Sequence, residues 1–393
     1  MRISPTHAAL IAIFLDLTGF GMMFPDVQLR GQELGIPGWR IGAILASYYI
    51  IQFVLSPFWG RLSDDVGRRK ILLVCTGLSA VAMFAYGLLP GEPALWAGRV
   101  LAGFGAGNVA IAQAFVADAA ESKYDRARAL GLMGAVVSAG LVLGPVVGAL
   151  AVEIGGKLAL GVIAGGLSSI GGLLILAKLA KVPAARSDQP ARVGFSLIAK
   201  SSILRSLFLV AILGWFALAC LEGTFGRYLE WKFGFGRMEF GAFLALEAAV
   251  AFLQGFTFPA LSKKLSNRAI LYGSFALQAI GFVLIPLAPS IPMLIVASIL
   301  FGVGLGLSGP AINVLAVNAA LPNVRGGVLG TLQGARAAGF FLGPIVAGGL
   351  FDAFPPAPYY LAAALATIAT LAAMRLKDEI TASRSPEEAL KSE

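Results

Sequence analysis

Between residues 8 and 374 the chain is a succession of apolar runs with short polar breaks: 8–29, 41–59, 71–89, 94–118, 128–152, 158–177, 206–229, 239–259, 269–289, 291–318, 327–350 and 358–374. At 1.5 Å per helical residue, each run crosses most or all of a hydrocarbon layer about 30 Å thick. Within that layer no water can satisfy backbone N–H and C=O groups, so runs of this length must be helices. The chain is 58% hydrophobic and 13% charged, with a mean hydropathy of +0.83, too apolar for a water-soluble domain of 393 residues. An all-α integral membrane protein with twelve transmembrane helices is the expected fold class. The first run carries Asp16 and lacks a small-residue cleavage motif, which predicts a retained helix rather than a signal peptide.

The breaks between runs set the orientation. If both termini are cytoplasmic, inner segments hold 22 of the 30 Lys and Arg residues and outer loops hold six, while Arg99 and Arg336 lie inside helices. Such a bias toward one side is what positive-inside topology predicts, and it accounts for the net charge of +9 without a nucleic-acid partner. The most distinctive break is GRLSDDVGRRK, residues 60–70, expected to be a cytoplasmic loop between the second and third helices and echoed as PALSKKLSNRA at 259–269. Residues 178–205 are polar and basic, and predict a cytoplasmic linker between six-helix bundles at 1–177 and 206–376, with a cytoplasmic tail at 377–393. Cys75 and Cys220 fall inside apolar runs and His7 is the only histidine, so the sequence points to no disulfide framework, no metal site and no cofactor.

The two halves repeat. Gly144-Pro145 in the fifth helix and Gly343-Pro344 in the eleventh stand 199 residues apart. The same offset carries Gly103, Gly105 and Gly107 onto Gly302, Gly304 and Gly306, Arg69 onto Arg268, Arg126 onto Arg325, and Gly140 onto Gly339. A parallel six-helix repeat is the organisation of two bundles that rock about a central site.

On these residues the chain resembles the major facilitator superfamily over essentially its whole length. Gly60, Asp64, Gly67, Arg68 and Arg69 match that family's G-x-x-x-D-x-x-G-R-[RK] loop signature, and RVLAGFGAG from Arg99 looks like its fourth-helix signature. GLVLGPVVGA from Gly140 looks like the fifth-helix signature of its proton-coupled exporters, and LDLTGFGMMFP from Leu15 is similar to the first helix of tetracycline/proton and related drug/proton antiporters. The second-half loop lacks the signature's Asp and Gly, and the resemblance does not name the substrate.

Each motif also has a physical reading. Arg68 and Arg69 are placed to pair with Asp64 and with Asp118 at the inner end of the fourth helix, with Gly60 and Gly67 permitting a turn; such a cluster latches the bundles in one state or anchors positive charge at headgroups. Gly140, Gly144 and Gly148 recur every four residues as a close-packing face, bent by Pro145, with Gly343 and Pro344 as the second-half counterpart. Asp16, Arg99, Glu222, Glu247 and Arg336 lie inside helices one, four, seven, eight and eleven, where lipid exposure would cost several kcal/mol each. A buried carboxylate whose surroundings change between two states is the group that proton coupling needs. Asp16 is the first choice, then Glu222, with Arg99 assigned to coupling by its motif. Glu247 and Arg336 either pair with each other or touch substrate, and Gln52, Asn108, Gln113, Asn313 and Gln333 complete a polar cavity or act as interhelical glue.

The expected protein is a proton-coupled secondary transporter, multi-pass in the bacterial inner membrane, that exports a small amphipathic compound or drug by alternating access. Its partners would be that substrate, protons and the lipid bilayer, with the transporter acting as a monomer and binding no nucleic acid. A metabolite or lipid exporter, or flippase, of the same fold, with or without proton coupling, is the alternative. An enzyme would need a nucleophile or metal constellation that His7, Cys75 and Cys220 do not supply, and a channel would need neither matched halves nor a latch.

Overall fold

A computed structural model describes residues 4–119, 123–179, 201–320 and 325–376, and the helices in it are α1 (Pro5–Glu33), α2 (Gly38–Val66), α3 (Arg68–Leu88), α4 (Gly91–Gly105), α5 (Asn108–Asp118), α6 (Lys123–Lys178), α7 (Ser202–Phe233), α8 (Arg237–Leu261), α9 (Asn267–Leu287), α10 (Ile291–Asn318), α11 (Arg325–Ala353) and α12 (Ala357–Met374). Most of the expected linker at 178–205, and the tail at 377–393, lie outside the described residues.

Eleven stretches among these are long and apolar enough to cross a membrane. α4 and α5 form one of them, Gly91–Asp118, separated only by a turn at Ala106 and Gly107. The stretch Arg128–Lys178 is 51 residues, about 76 Å of helix and more than twice a bilayer crossing. It is broken at Gly155 (φ −153°, ψ 26°) and Gly156 (φ 64°, ψ −158°), the second a conformation that side chains disfavour. α6 therefore supplies two crossings, the fifth and sixth, for twelve in all.

The basic segment at 60–70 is not a loop. α2 continues to Val66 and α3 starts at Arg68, leaving Gly67, with φ 104° and ψ 136°, as the sole hinge residue. Gly60 lies inside α2, so it serves no turn. The correction follows from composition: apart from Gly67, the segment has no residue that needs to leave the helix, and Arg, Leu, Ser and Asp are tolerated at a polar helix end.

The chain packs as two compact units. The first contains Met1–Asp188 together with Leu218–Ala249 and Phe340–Pro358; the second contains Gln189–Ala217, Val250–Gly339 and Tyr359–Glu393. Two apolar clusters fill the first unit. One joins Ala8 to Leu17 with Ile71, Phe115, Met133 and Ile175, and the other joins Met22, Val27 and Ile44 with Tyr86, Leu95 and Leu160. The second unit is centred on Leu207, Leu271, Phe275, Ala311, Leu315 and Ala335. Large apolar side chains such as Val54, Leu173, Leu253 and Phe256 are left on the outside. Water would not tolerate that surface, and lipid does.

Glycine sets the helix spacing in the first unit. A Cβ on Gly144 would lie 2.7 Å from both the Gly21 Cα and the Thr18 carbonyl, and one on Gly140 would lie 3.0 Å from Leu17 Cβ. Gly148 meets the Met22 backbone directly, so the Gly140-Gly144-Gly148 face seats α6 on α1. The second Gly-Pro is used similarly, since a Cβ on Gly223 of α7 would lie 2.9 Å from Pro344 Cα. Gly144→Ala is expected to destabilise by about 2 kcal/mol, the cost of forcing two backbones apart. Gly134→Ala, on the same helix with nothing within 4 Å of its Cβ, is expected to be neutral or slightly stabilising. Melting of the solubilised variants compares them; equal behaviour would dismiss the close-packed face.

Candidate functional site

Four clusters of charged and polar side chains occur within the first unit. The largest lies at the helix ends away from the basic segment. Asp26 on α1 is 1% exposed and accepts four hydrogen bonds: from Arg30 Nε (2.7 Å) and Nη2 (2.9 Å) one turn along, from Tyr86 Oη of α3 (2.6 Å), and from Arg237 Nε at the start of α8 (2.5 Å). Arg237 also reaches Glu33 (2.8 Å). Beside it, Arg227 of α7 pairs with Asp352 at the end of α11 (2.8 Å) and donates to Gln32 Oε1 (3.2 Å), and Asp352 accepts from the Gly38 amide (2.5 Å). Gln28 donates to the Glu222 carbonyl (2.6 Å) and accepts from the Gly226 amide (3.0 Å). The ends of α1 and α2 are thereby tied to those of α7, α8 and α11. None of Asp26, Gln28, Arg227, Arg237 or Asp352 stands out in the sequence as a site residue. The one local signal is the i,i+4 spacing of Asp26 and Arg30.

The second cluster surrounds Arg99 on α4. Its guanidinium carbon lies 5.4, 5.1 and 5.5 Å from the ring centres of Phe20, Phe24 and Tyr48, and the side chain is fully buried. Tyr49, next along α2, donates to Glu222 Oε2 (3.3 Å) and stacks on Phe340 of α11 at 4.5 Å. Glu222 is half-buried and its charge reaches Arg99.

Asp16 lies elsewhere, 1% exposed inside the first half of the chain. Asn108, the first residue of α5, donates to its Oδ2, and Ser79 of α3 and Ser168 of α6 are the other polar side chains at its carboxyl. No cation pairs with it among the described residues. Asn108, expected in an open cavity, is itself buried against Asp16, and its Oδ1 accepts from the Val109 amide (2.7 Å). Gln52 donates weakly to the Ala106 carbonyl (3.5 Å), while Gln113 is exposed.

The fourth cluster is the basic segment. Arg68 pairs with Asp64 and with Asp118 of α5 (3.2 Å) and donates to Ser63 Oγ (2.6 Å). Arg69 does not join it. It turns to the end of α6 and donates to the Leu176 carbonyl (2.6 Å), where a cation satisfies an orphan C=O and opposes the helix dipole. The repeat-related Arg268 does the same in the second unit, donating to the Met374 carbonyl at the end of α12. Asp64 is 41% exposed and Asp118 12%, so Asp118→Asn is expected to cost about 2 kcal/mol in thermal unfolding and Asp64→Asn less than about 1 kcal/mol. Equal losses would mean that exposure does not rank the two bonds.

In the second unit Arg336 is exposed and lies over the Trp215 ring at 4.9 Å, and Asn313 and Gln333 are likewise exposed. Glu247, in the first unit, is 5% exposed. Among the described residues no group of His, Cys, Asp or Glu is arranged to hold a metal.

Twelve apolar crossings with buried ion clusters at their cores and ends define a multi-pass membrane protein. The family model of the Major Facilitator Superfamily matches residues 9–326 and 232–392, and the chain belongs to that superfamily, with its two six-helix bundles. Its members are transporters rather than enzymes. The chain is 26% identical over 364 residues to the quinolone resistance protein NorA of Staphylococcus aureus, covering 89% of this chain and 90% of that one. It is 29% identical over 363 residues to the class G tetracycline resistance protein of Vibrio anguillarum, at 88% and 90% coverage. The crystal structure of a mutant of the nucleoside transporter NupG superposes with a TM-score of 0.83 at 15% identity, covering 95% of this chain and all of that one, which is a likeness of fold.

Proposed function

We propose that this protein is a proton-coupled exporter of small amphipathic compounds, drugs among them, that works by alternating access as a monomer in the bacterial inner membrane. The observation that carries this reading is the similarity, over nearly nine-tenths of the chain, to proteins named for resistance to quinolones and tetracycline. The basic segment faces the cytoplasm, as do both termini, and 1–177 and 206–376 act as the two rocking halves. The Asp26 and Arg227 networks then close the outer side, and the Arg68 cluster stabilises the state in which the inner side is closed.

Asp16 carries the coupling proton. An isolated carboxylate buried without a cation is a group that exchanges a proton rather than remain charged. Asn108, which donates to it, is the first residue of α5, so a change of charge at Asp16 is felt where α4 gives way to α5. Glu222 stands between the Arg99 cluster and the outer network and takes part in coupling the two. Gln52, Gln113, Glu247, Asn313, Gln333 and Arg336 contribute polar contacts to substrate.

The test is a compound panel in two formats. Expression in a bacterium lacking its own efflux pumps should raise tolerance to several lipophilic drugs, and proteoliposomes should accumulate the same drugs when a pH gradient is imposed. Export of lipids or a single metabolite without dependence on the gradient would replace this reading with that of an uncoupled exporter or flippase.

A further inference from the structure

Four elements each send one oxygen-bearing side chain to the same buried place: Asp16 of α1, Ser79 of α3, Asn108 of α5 and Ser168 of α6, none more than 6% exposed. Asn108 donates to Asp16 Oδ2, but Oδ1 has no hydrogen-bond partner among the described residues. Ser168, at the same carboxyl, donates instead to Met83 Sδ (3.2 Å). Its proton is spent on a weak acceptor, and its oxygen lone pairs remain for a positive centre. A carboxylate oxygen left bare at this depth lacks a cation, since an unpaired buried charge is expensive. The fourth crossing is also interrupted beside it, at Ala106 and Gly107, directly before Asn108. Interrupted membrane helices are recurrent places for bound cations.

The surroundings select which cation fits. One carboxylate balances one positive charge, whereas a divalent ion would leave a net charge in the apolar interior. Carboxylate and hydroxyl oxygens are hard ligands and suit a hard ion. The helices around them are held at backbone contact. A Cβ on Gly19 would lie 2.8 Å from the Ala164 carbonyl oxygen, and one on Gly105 would lie 2.6 Å from the Cys75 carbonyl oxygen and 3.0 Å from Ser79 Oγ. Such a cage does not widen for potassium. Nor does the fold itself require the oxygens: at the offset of 199 residues, Trp215 and Leu307 stand where Asp16 and Asn108 do, both packed in an apolar cluster. We propose that Asp16, Ser79 and Ser168 bind a sodium ion through the carboxylate and the two hydroxyls, with Asn108 holding the carboxylate in place. The site rests on the coupling reading only in placing sodium at the carboxylate proposed to carry the proton.

The experiment measures binding of radioactive sodium to the full-length protein in lipid nanodiscs, at pH 8 and without a gradient, in choline buffer of constant ionic strength. The wild type is expected to bind one ion per chain, displaced by unlabelled sodium or lithium at least about tenfold more readily than by potassium, as a small cage requires. Asp16→Asn should abolish the binding. Ser168→Ala, which keeps the carboxylate and removes one ligand, should weaken it about tenfold, and it serves alone should Asp16→Asn fail to fold. No displaceable sodium in the wild type, or undiminished binding in either variant, would overturn the site. Drug export driven by a pH gradient in choline-only proteoliposomes, by a protein that binds no sodium, would refute this inference and leave the proton reading standing. Sodium binding together with export that follows a sodium gradient and ignores a pH gradient would uphold the site and remove the proton reading.

Discussion

Asp26→Leu is expected to release the helix ends that lie away from the basic segment and to lower stability by about 3 kcal/mol, the low end for breaking a buried pair because Arg30 and Arg237 keep about a fifth of their side chains exposed. The carboxylate is nearly inaccessible and is the shared acceptor for two cations and a phenol, so its removal leaves three sets of donors without their partner. Arg30 belongs to the same helix and can turn toward water. Arg237 cannot be dismissed in that way: it joins α8 to α1, and with Asp26 gone the exposed Glu33 is the one acidic group left to it among the described residues. Nitroxides at Leu34 and Trp231, both exposed near these ends, should therefore report a broader and longer distance distribution in the variant. Adding Arg237→Leu should recover part of the lost stability, since it removes the stranded cation. Additive losses in the double variant, or an unchanged distance distribution, would show that the network does not hold these helix ends together.

The clusters differ in how far the sequence exposes them. The twelve crossings are legible because hydrocarbon demands long apolar runs, and that demand is written locally. Arg68, Asp64 and Asp118 are legible because two of the three are neighbours in one basic segment. The shape of that segment is not: whether it is a loop or two helices meeting at Gly67 depends on which of its two glycines, Gly60 or Gly67, takes a positive φ. The Asp26 network was invisible for another reason. Asp26 meets Arg237 across 211 residues, Arg227 meets Asp352 across 125, and Gly38 meets Asp352 across 314. No periodicity spans such separations, and near helix ends an ionisable residue reads as ordinary interfacial charge. Asn108 illustrates the same limit at shorter range. Its polarity was evident, but only packing distinguishes an amide that faces an open cavity from one that donates to Asp16.

Asp16→Asn is expected to abolish gradient-driven export while leaving the fold intact. The substitution is nearly isosteric, and the Asn108 amide can still donate to the side-chain oxygen of the new residue, so melting should change little. What disappears is the group proposed to gain and lose a proton. If substrate and proton compete during the cycle, wild-type binding of substrate releases protons and weakens as the pH falls, because acid favours the protonated state that excludes substrate. The Asn variant has no proton to exchange at this position, so its substrate binding should be independent of pH across the same range. Uphill export in proteoliposomes should fall to the background of empty vesicles, while substrate counterflow, which requires no net proton movement, should persist. Counterflow is the decisive control, since a variant that lost both activities would be structurally impaired rather than uncoupled. Retention of uphill, pH-driven accumulation by the variant would remove Asp16 from the coupling step and assign the proton to Glu222, whose position between Tyr49 and the Arg99 cluster makes it the next carboxylate to neutralise.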